Sequence, residues 1–327
     1  MNDKICLTTY IYGVRYQAYI PFLVYTCHSA YPEYDIRLFL YDSLDKNVKD
    51  LLDSLNVSNL YITERCFSDC PQMTPLKSKS LRWVLWDESF LDYDYLYVVD
   101  IDMLYIREPL ALHLQHIEHM KTTGLPYDNL ARCFHRKPFQ LHSIGYRIKH
   151  AGFRSFFRYL FGTRDDYRLS GLHFIQVQPY YKLFNADVRT KYKKMIYDGS
   201  FVSLTLSSNN EAFLYQVIKQ TIPGIERVAI QTESYKMLDF NNYIRPEFRP
   251  HHGIHLGIFR QDLRGRRKTI LDCETYKYYL QHFQESYLTD TAFLQLCQQS
   301  PSFIKEQFNN LFNYYNINAS FNDDEFK

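Results

Sequence analysis

The sequence predicts an α/β protein: a mixed, mainly parallel sheet of the nucleotide-binding kind, flanked by helices, with a helical extension at the C-terminal end. Two observations predict it. Over the first hundred residues, short apolar runs alternate with longer segments of helical periodicity, the pattern of a sheet whose strands are joined by helices. The apolar run "YLYVV" then ends in two aspartates one residue apart, Asp100 and Asp102, and such sheets hold ligands beyond the carboxyl ends of their strands. At 327 residues with 46% hydrophobic content, the chain is long enough to bury the core this architecture needs.

Taken in order, "KICLTTY" reads as a buried strand and "QAYIPFLVYTCHSAY" as a helix. "YDIRLFLYD" is a second strand. "SLDKNVKDLLDSL" is a helix capped by Ser43, with Lys46 and Lys49 on its polar face. "NLYIT" is a short third strand, "KSKSLRWVLWDESFL" a helix, and "YLYVVDIDMLYI" supplies the fourth strand. "REPLALHLQHIEHM" follows as a helix, and the chain is helical again from about Leu271 until a polar tail, "SFNDDEFK". The expected organisation is therefore an α/β domain over 1–270 and a helical extension over 271–327 packed on it.

Composition excludes several classes. A formal charge of +2 is too small to imply nucleic acid, so basic function must be local. No run of about eighteen apolar residues offers a membrane span, and "MNDKICLTTY" lacks the apolar core of a signal peptide. The seven cysteines are scattered; only Cys66 and Cys70 are close in sequence, and C-x-x-x-C without a second pair is a poor zinc signal. Reduced thiols in a cytoplasmic protein are expected, and the sequons at Asn56 and Asn318 then carry no weight. Thirty tyrosines and 24 phenylalanines imply many half-buried rings and stacking surfaces.

D-x-D is a short pattern, expected about once by chance in a chain of this size. This chain has two. Asp92 and Asp94 precede the strand, at the end where sites rarely lie; Asp100 and Asp102 follow it. In extended backbone, residues i and i+2 point to one side, so this second pair can present oxygens to a hard cation such as Mg²⁺ or Mn²⁺. The alternative is an aspartate pair capping the next turn. "HHGIHLGIFR" holds His251, His252 and His255, then Gly257 and Arg260. Histidine beside glycine can supply a neutral imidazole ligand while backbone approaches a phosphate; a loop histidine bonded to backbone is the plainer reading. The series His113, His116 and His119 reads as a solvated or interface face of a helix.

These segments resemble the GT-A glycosyltransferases, in particular glycosyltransferase family eight, which includes bacterial lipopolysaccharide galactosyl- and glucosyltransferases. The matching stretches are "YIPFLVYTCHSAYPEYDIRLFLYD", "SLRWVLWDESFLDYDYLYVVDIDMLYI" and "HLGIFR", in the family's order over roughly the first 260 residues. The resemblance implies that Asp100 and Asp102 hold Mn²⁺ or Mg²⁺ against the diphosphate of a nucleotide sugar, UDP-galactose or UDP-glucose. It implies His255 as the further ligand, with His252 as alternative. Gly257 and Arg260 would meet the phosphates, Arg82 would reach the donor, and Thr8 and Tyr10 would flank the base and ribose. Asn210 and Glu211, in "SSNNEAFLYQV", would sit near the anomeric carbon, and the sugar would be transferred with retention to a saccharide or lipid-linked saccharide of a surface polysaccharide. The chain departs from the family in a histidine motif one residue shorter, in Arg260 where lysine is usual, and in a longer first loop.

Two rivals belong to other classes. A haloacid dehalogenase-type phosphotransferase also ends a strand in D-x-D, but near the N-terminus, and needs a later aspartate pair at a strand end; Asp165–Asp166 reads as a charged loop and Asp323–Asp324 as tail. A non-catalytic sugar- or membrane-binding module would keep the fold without turnover. Residues 131–168 carry nine Lys or Arg against two Asp. Within them the aromatic, basic stretch 148–162, together with "RGRRK" at 264–268, suits peripheral contact with an anionic membrane surface.

Overall fold

A computed structural model of the chain describes residues 3–135, 165–205, 209–228, 230–231, 253–260, 274–315 and 317. The basic stretches 148–162 and 264–268, His251, His252, Asn318 and the polar tail lie outside the described residues.

Strand formation follows the apolar runs. In chain order the strands are β1 (Ile5–Ile11), β2 (Asp35–Leu40), β3 (Leu60–Thr63), β4 (Tyr95–Val98), β5 (Met103–Leu104), β6 (Tyr127–Asp128), β7 (Ala131–His135), β8 (Asp165–Leu169), β9 (His173–Gln176), β10 (Ile230–Gln231) and β11 (Ile254–His255). All seven residues of β1 are buried, the signature of a strand covered on both faces. The central sheet is mixed. β1 pairs with β4, and β2 with β3, in parallel, whereas β9 runs antiparallel to both β4 and β6.

The chain divides into two compact units that interleave in sequence. One comprises Met1–Tyr10, Phe67–Val99 and His116–Ser234, the other Ile11–Cys66, Asp100–Gln115 and Tyr235–Lys327. In the first, β1, β4, β9 and β6 lie side by side, and a smaller sheet runs in the order β10–β7–β8. Helices Pro75–Leu81, Val177–Leu183, Ala186–Asp198 and Asn210–Thr221 belong to it. In the second, β2–β3 and the two-residue ladder β5–β11 are joined by helices Ile20–Ala30 and Lys46–Leu55 and by the C-terminal helices Glu274–Tyr287, Thr291–Gln299 and Ser302–Tyr314. Its core is aromatic: Phe293 packs against Phe22, Tyr25, Phe283, Tyr287 and Phe308, each ring pair adding to plain area burial.

Several local readings are corrected. The expected first helix begins later, as Ile20–Ala30 with a proline in its first turn, and a separate short helix, Val14–Gln17, precedes it. Asp45, not Ser43, caps the next helix, accepting from the backbone N–H of Asn47 and Val48. Gln17 explains the choice, since its amide donates to Ser43 O and accepts from Asp45 N, holding Ser43 ahead of the cap. The helix at 77–91 ends at Leu81 and continues as 3-10 turns, Arg82–Val84 and Glu88–Asp92, the second started by the Asp87 carboxylate accepting from Ser89 N. Asp165 and Asp166 lie on β8 and not in a loop. No disulfide joins the described cysteines, and among the described residues no helix is long and apolar enough to cross a membrane.

The largest correction concerns the histidines. His116 and His119 are buried and face inward, each bonding through Nδ1 to the wholly buried carboxylate of Asp128, His116 at 2.7 Å. His113 bonds Tyr34 OH at 2.7 Å. Polar residues at i and i+3 can serve a buried acceptor as readily as water, and periodicity does not distinguish the two. Burial alone would raise the Asp128 carboxyl, but the two imidazoles outweigh it and hold the carboxyl below its ordinary range. A depressed folded-state value means that this stabilisation is present above about pH 4 and is lost as pH falls through the folded value. Asp128→Asn should cost on the order of 3 kcal/mol at neutral pH, with the difference from wild type shrinking below pH 4. Trp83 and Trp86, the only tryptophans, lie in the same unit, so denaturant unfolding followed by tryptophan fluorescence measures it.

Candidate active site

β4 ends at Val98, and the chain turns at Ile101–Asp102 before β5. Asp100 and Asp102 are therefore not two steps along one extended strand. Asp102 is buried and Asp100 half-buried. The turn feeds β5, which pairs antiparallel with β11: Leu104 opposite Ile254, Met103 opposite His255. Leu256 N also donates to Asp102 O at 2.8 Å. This short ladder brings "DIDML" and "GIHLGIFR", some 150 residues apart, into fixed register.

Two glycines make the approach possible. Gly253 has φ +83°, and a Cβ there would lie 2.2 Å from Leu104 O. A Cβ on Gly257 would lie 2.0 Å from Asp102 Oδ2. Both contacts are closer than any side chain allows.

Asp102 receives two charged donors. His255 Nε2 donates to its Oδ1 at 3.0 Å, and Arg260 donates to its Oδ2 at 2.9 Å. Burial opposes the charge on Asp102, but His255 and then Arg260 overcome it and hold the carboxyl down at about 2. Burial likewise works against the His255 imidazolium, and Asp102, with Asp100 assisting, raises its pKa. Arg260 has a further anchor: it donates to Tyr19 OH at 3.2 Å, and its guanidinium lies 5.5 Å from the ring centres of both Tyr16 and Tyr19.

Asp102, His255, Gly257 and Arg260 thus meet directly, with Asp100 in electrostatic reach of His255. Two carboxylates and an imidazole are a donor set suited to a hard divalent cation, and the bare Cα of Gly257 is what lets Asp102 Oδ2 lie where a Cβ would otherwise be. Among the described residues no three His, Cys, Asp or Glu are already gathered as a metal cage.

The remaining expected residues lie in the other unit. Thr8 and Arg82 converge on one backbone residue, Val99, whose N–H donates to Thr8 O at 2.9 Å and whose carbonyl accepts from Arg82 at 3.1 Å. Arg82 is buried, its guanidinium 4.1 Å from the Trp83 ring centre. The Thr8 hydroxyl is buried with no hydrogen-bond partner among the described residues, and Tyr10 is buried with its ring edge-on to Phe67. Asn210 and Glu211 open the helix Asn210–Thr221, capped by Asn209. The Glu211 carboxylate accepts from Arg132 at 2.7 Å. Arg132, Tyr19 and Gln307 were not legible as site neighbours: each is distant in sequence from its partner, and only Gln307 leaves a trace, a polar residue on an apolar helical face. Asp94, of the first D-x-D, accepts from Lys4 N at 2.8 Å, a structural bond that removes it from contention.

Gly253→Ala and Gly257→Ala should differ in cost. The first drives a Cβ into a backbone carbonyl at a left-handed position, which cannot yield, and should destabilise by on the order of 3 kcal/mol. The second displaces a side chain, though a buried one held by two charged partners, and should cost about 2 kcal/mol. Paired chemical denaturation of the two variants measures the order.

Neither a protein-family model nor a curated protein sequence matches the chain. Solved structures similar to it include the mannosyltransferase Ktr4p from S. cerevisiae, 8% identical over 71% of this chain and 68% of that one, TM-score 0.45. Core-mannan synthase A from Aspergillus fumigatus, in an Mn/GDP form, is 9% identical over 70% and 73%, TM-score 0.42. An active-site mutant of LgtC is 11% identical over 86% and 95%, TM-score 0.39. With these scores below 0.5, the functional reading rests on the residues of this chain.

Proposed function

We infer that the chain is a metal-dependent glycosyltransferase that moves a hexose from a nucleotide sugar, UDP-galactose or UDP-glucose, to a saccharide or lipid-linked saccharide acceptor. Residues 1–270 form its GT-A catalytic region and 271–327 a helical extension. The observation that carries the reading is the cluster of Asp102, His255 and Arg260 around the Gly257 cradle, reached from the second D-x-D. A buried carboxylate that needs two positive partners, one a titratable imidazole and one partly exposed, is an expensive arrangement for structure alone, and its donor types match a cation that binds a diphosphate.

Asp100, Asp102 and His255 would hold Mn²⁺ or Mg²⁺, which when bound supplies Lewis-acid neutralisation of the charge on the leaving nucleoside diphosphate. Arg260 contributes fixed guanidinium donors for phosphate oxygens, and the Cβ-free backbone at Gly257 permits close approach. Glu211 stands at a helix start with Arg132 donating to one carboxylate oxygen, and its other oxygen would serve the positive charge that develops on the sugar. Asn210 offers an amide for orienting the sugar. Thr8, Tyr10 and Arg82 belong to the base, ribose and donor side, and transfer proceeds with retention. Cytoplasmic synthesis of a surface polysaccharide, with peripheral attachment through the basic aromatic segments, completes the proposal.

A thermal-shift screen of nucleotide sugars with and without Mn²⁺ tests it. One UDP-hexose should raise the melting temperature in the presence of Mn²⁺, and chelation should abolish the shift; absence of any shift, with no donor hydrolysis, would sink the reading. Binding without turnover would point to the non-catalytic module.

Single-turnover kinetics separate the roles. Asp102→Ala should lose more than ~100-fold in donor turnover, since losing a ligand exceeds the 10–100-fold typical of outer-shell changes. Glu211→Gln should retain donor binding and lose turnover by a comparable factor, and unchanged turnover would remove Glu211 from the mechanism.

A further inference from the structure

Helix Ser302–Tyr314 buries Ile304, Phe308, Leu311 and Phe312 completely. Amid this apolar set lies Gln307, only 3% exposed. A buried amide is costly unless it is bonded, and among the described residues Gln307 bonds one group 288 residues away, the Tyr19 hydroxyl. Tyr19 OH donates to Gln307 Oε1 at 3.0 Å, and Gln307 Nε2 donates back at 2.8 Å.

A phenolic hydroxyl has one proton and two acceptor positions. With its proton on Gln307 Oε1 and one acceptor position on Gln307 Nε2, it keeps one, and Arg260 fills that at 3.2 Å. The same Arg260 nitrogen donates to Asp102 Oδ2 at 2.9 Å. Gln307 thereby fixes which way the Tyr19 hydroxyl proton points, and so leaves an acceptor, not a donor, facing the guanidinium. Rotated the other way, the hydroxyl would present its hydrogen to a cation. The same helix also fastens the segment that carries Arg260: Asn310 Nδ2 donates to Phe259 O at 2.9 Å, one residue before it.

We propose that Gln307, acting through Tyr19, is a positioning residue for Arg260, so that the C-terminal helix Ser302–Tyr314 is a working part of the anion-binding end of the site. The role of Arg260 toward a diphosphate rests on the function proposed above; the positioning of its guanidinium does not.

Two measurements on the full-length chain keep these separate. The first is ¹⁵N NMR of the Arg260 guanidinium, assigned by its loss in Arg260→Lys, with restricted rotation expected in the wild type. Tyr19→Phe and Gln307→Leu should each speed that rotation several-fold, the bond to Asp102 remaining. Tyr19→Phe, which deletes only the hydroxyl, serves as the arm that must fold. Rotation as slow in Tyr19→Phe as in the wild type would overturn the proposal whether or not any nucleotide binds. The second is UDP affinity with Mn²⁺ by calorimetry, where each variant should weaken binding about 10-fold. The double variant should be no weaker than either single one, because both act on one guanidinium. Neither should weaken binding further in an Arg260→Ala background. Additive losses, or the full loss persisting in that background, would mean general disruption of the fold and would overturn it.

Discussion

The burial of one carboxylate, Asp102, organises the second unit. An isolated carboxylate in such a place would take a proton. Here it remains an anion because an imidazole and a guanidinium occupy its two oxygens. Each neighbouring feature serves that pairing. The β5–β11 ladder sets the register between the aspartate and the histidine. Gly257 permits contact with Oδ2, and Gly253 lets the returning chain pass Leu104 O. Tyr19 and Gln307 fix the guanidinium. If Asp102 were replaced by an apolar residue, His255 would lose the main group that holds its proton against burial and against Arg260, and Arg260 would keep its charge with no carboxylate beside it.

The first unit solves the same electrostatic problem differently, and the contrast separates structure from chemistry. The Asp128 side chain is fully enclosed and both its imidazoles are nearly so, at 6% and 5% exposure. Asp102 keeps 10%, and its partners His255 and Arg260 keep 24% and 38%. A cluster sealed from solvent can exchange neither proton nor ligand without local unfolding. One whose cations reach the surface can trade them for another cation or an anion. Glu211 with Arg132 falls on the open side of this division, at 23% and 11%.

The fold was legible because its signals are local. Apolar runs became strands where burial covers both faces, as in β1 and β4, and the order of strand and helix gave the sheet. The aspartate pair was legible from its place after an apolar run, although the turn at Ile101–Asp102 replaces the extended geometry assumed for it. What stayed hidden depends on contacts between distant residues. His116 and His119 have the spacing of an exposed face, and only the arrival of Asp128 from β6 makes that face interior. Ser43 and Asp45 are both good caps, and Gln17 decides between them from outside the helix. Gln307 could be suspected as a polar residue among Ile304, Phe308 and Leu311, but its partner could not be read.

Arginine at 260, where the resembling family carries lysine, follows from this setting. One Arg260 nitrogen divides its hydrogens between the Tyr19 hydroxyl and Asp102, while the flat cation lies against the rings of Tyr16 and Tyr19. An ammonium could bond the carboxylate and the hydroxyl, but it has no plane to lay against two rings and loses more hydration on approaching them. The aromatic surroundings therefore select the guanidinium. They are also what gives the C-terminal helix its hold on the site, since the hydroxyl that Gln307 orients belongs to one of those two rings. The departure from lysine and the buried glutamine, 47 positions later in the chain, are two parts of one arrangement.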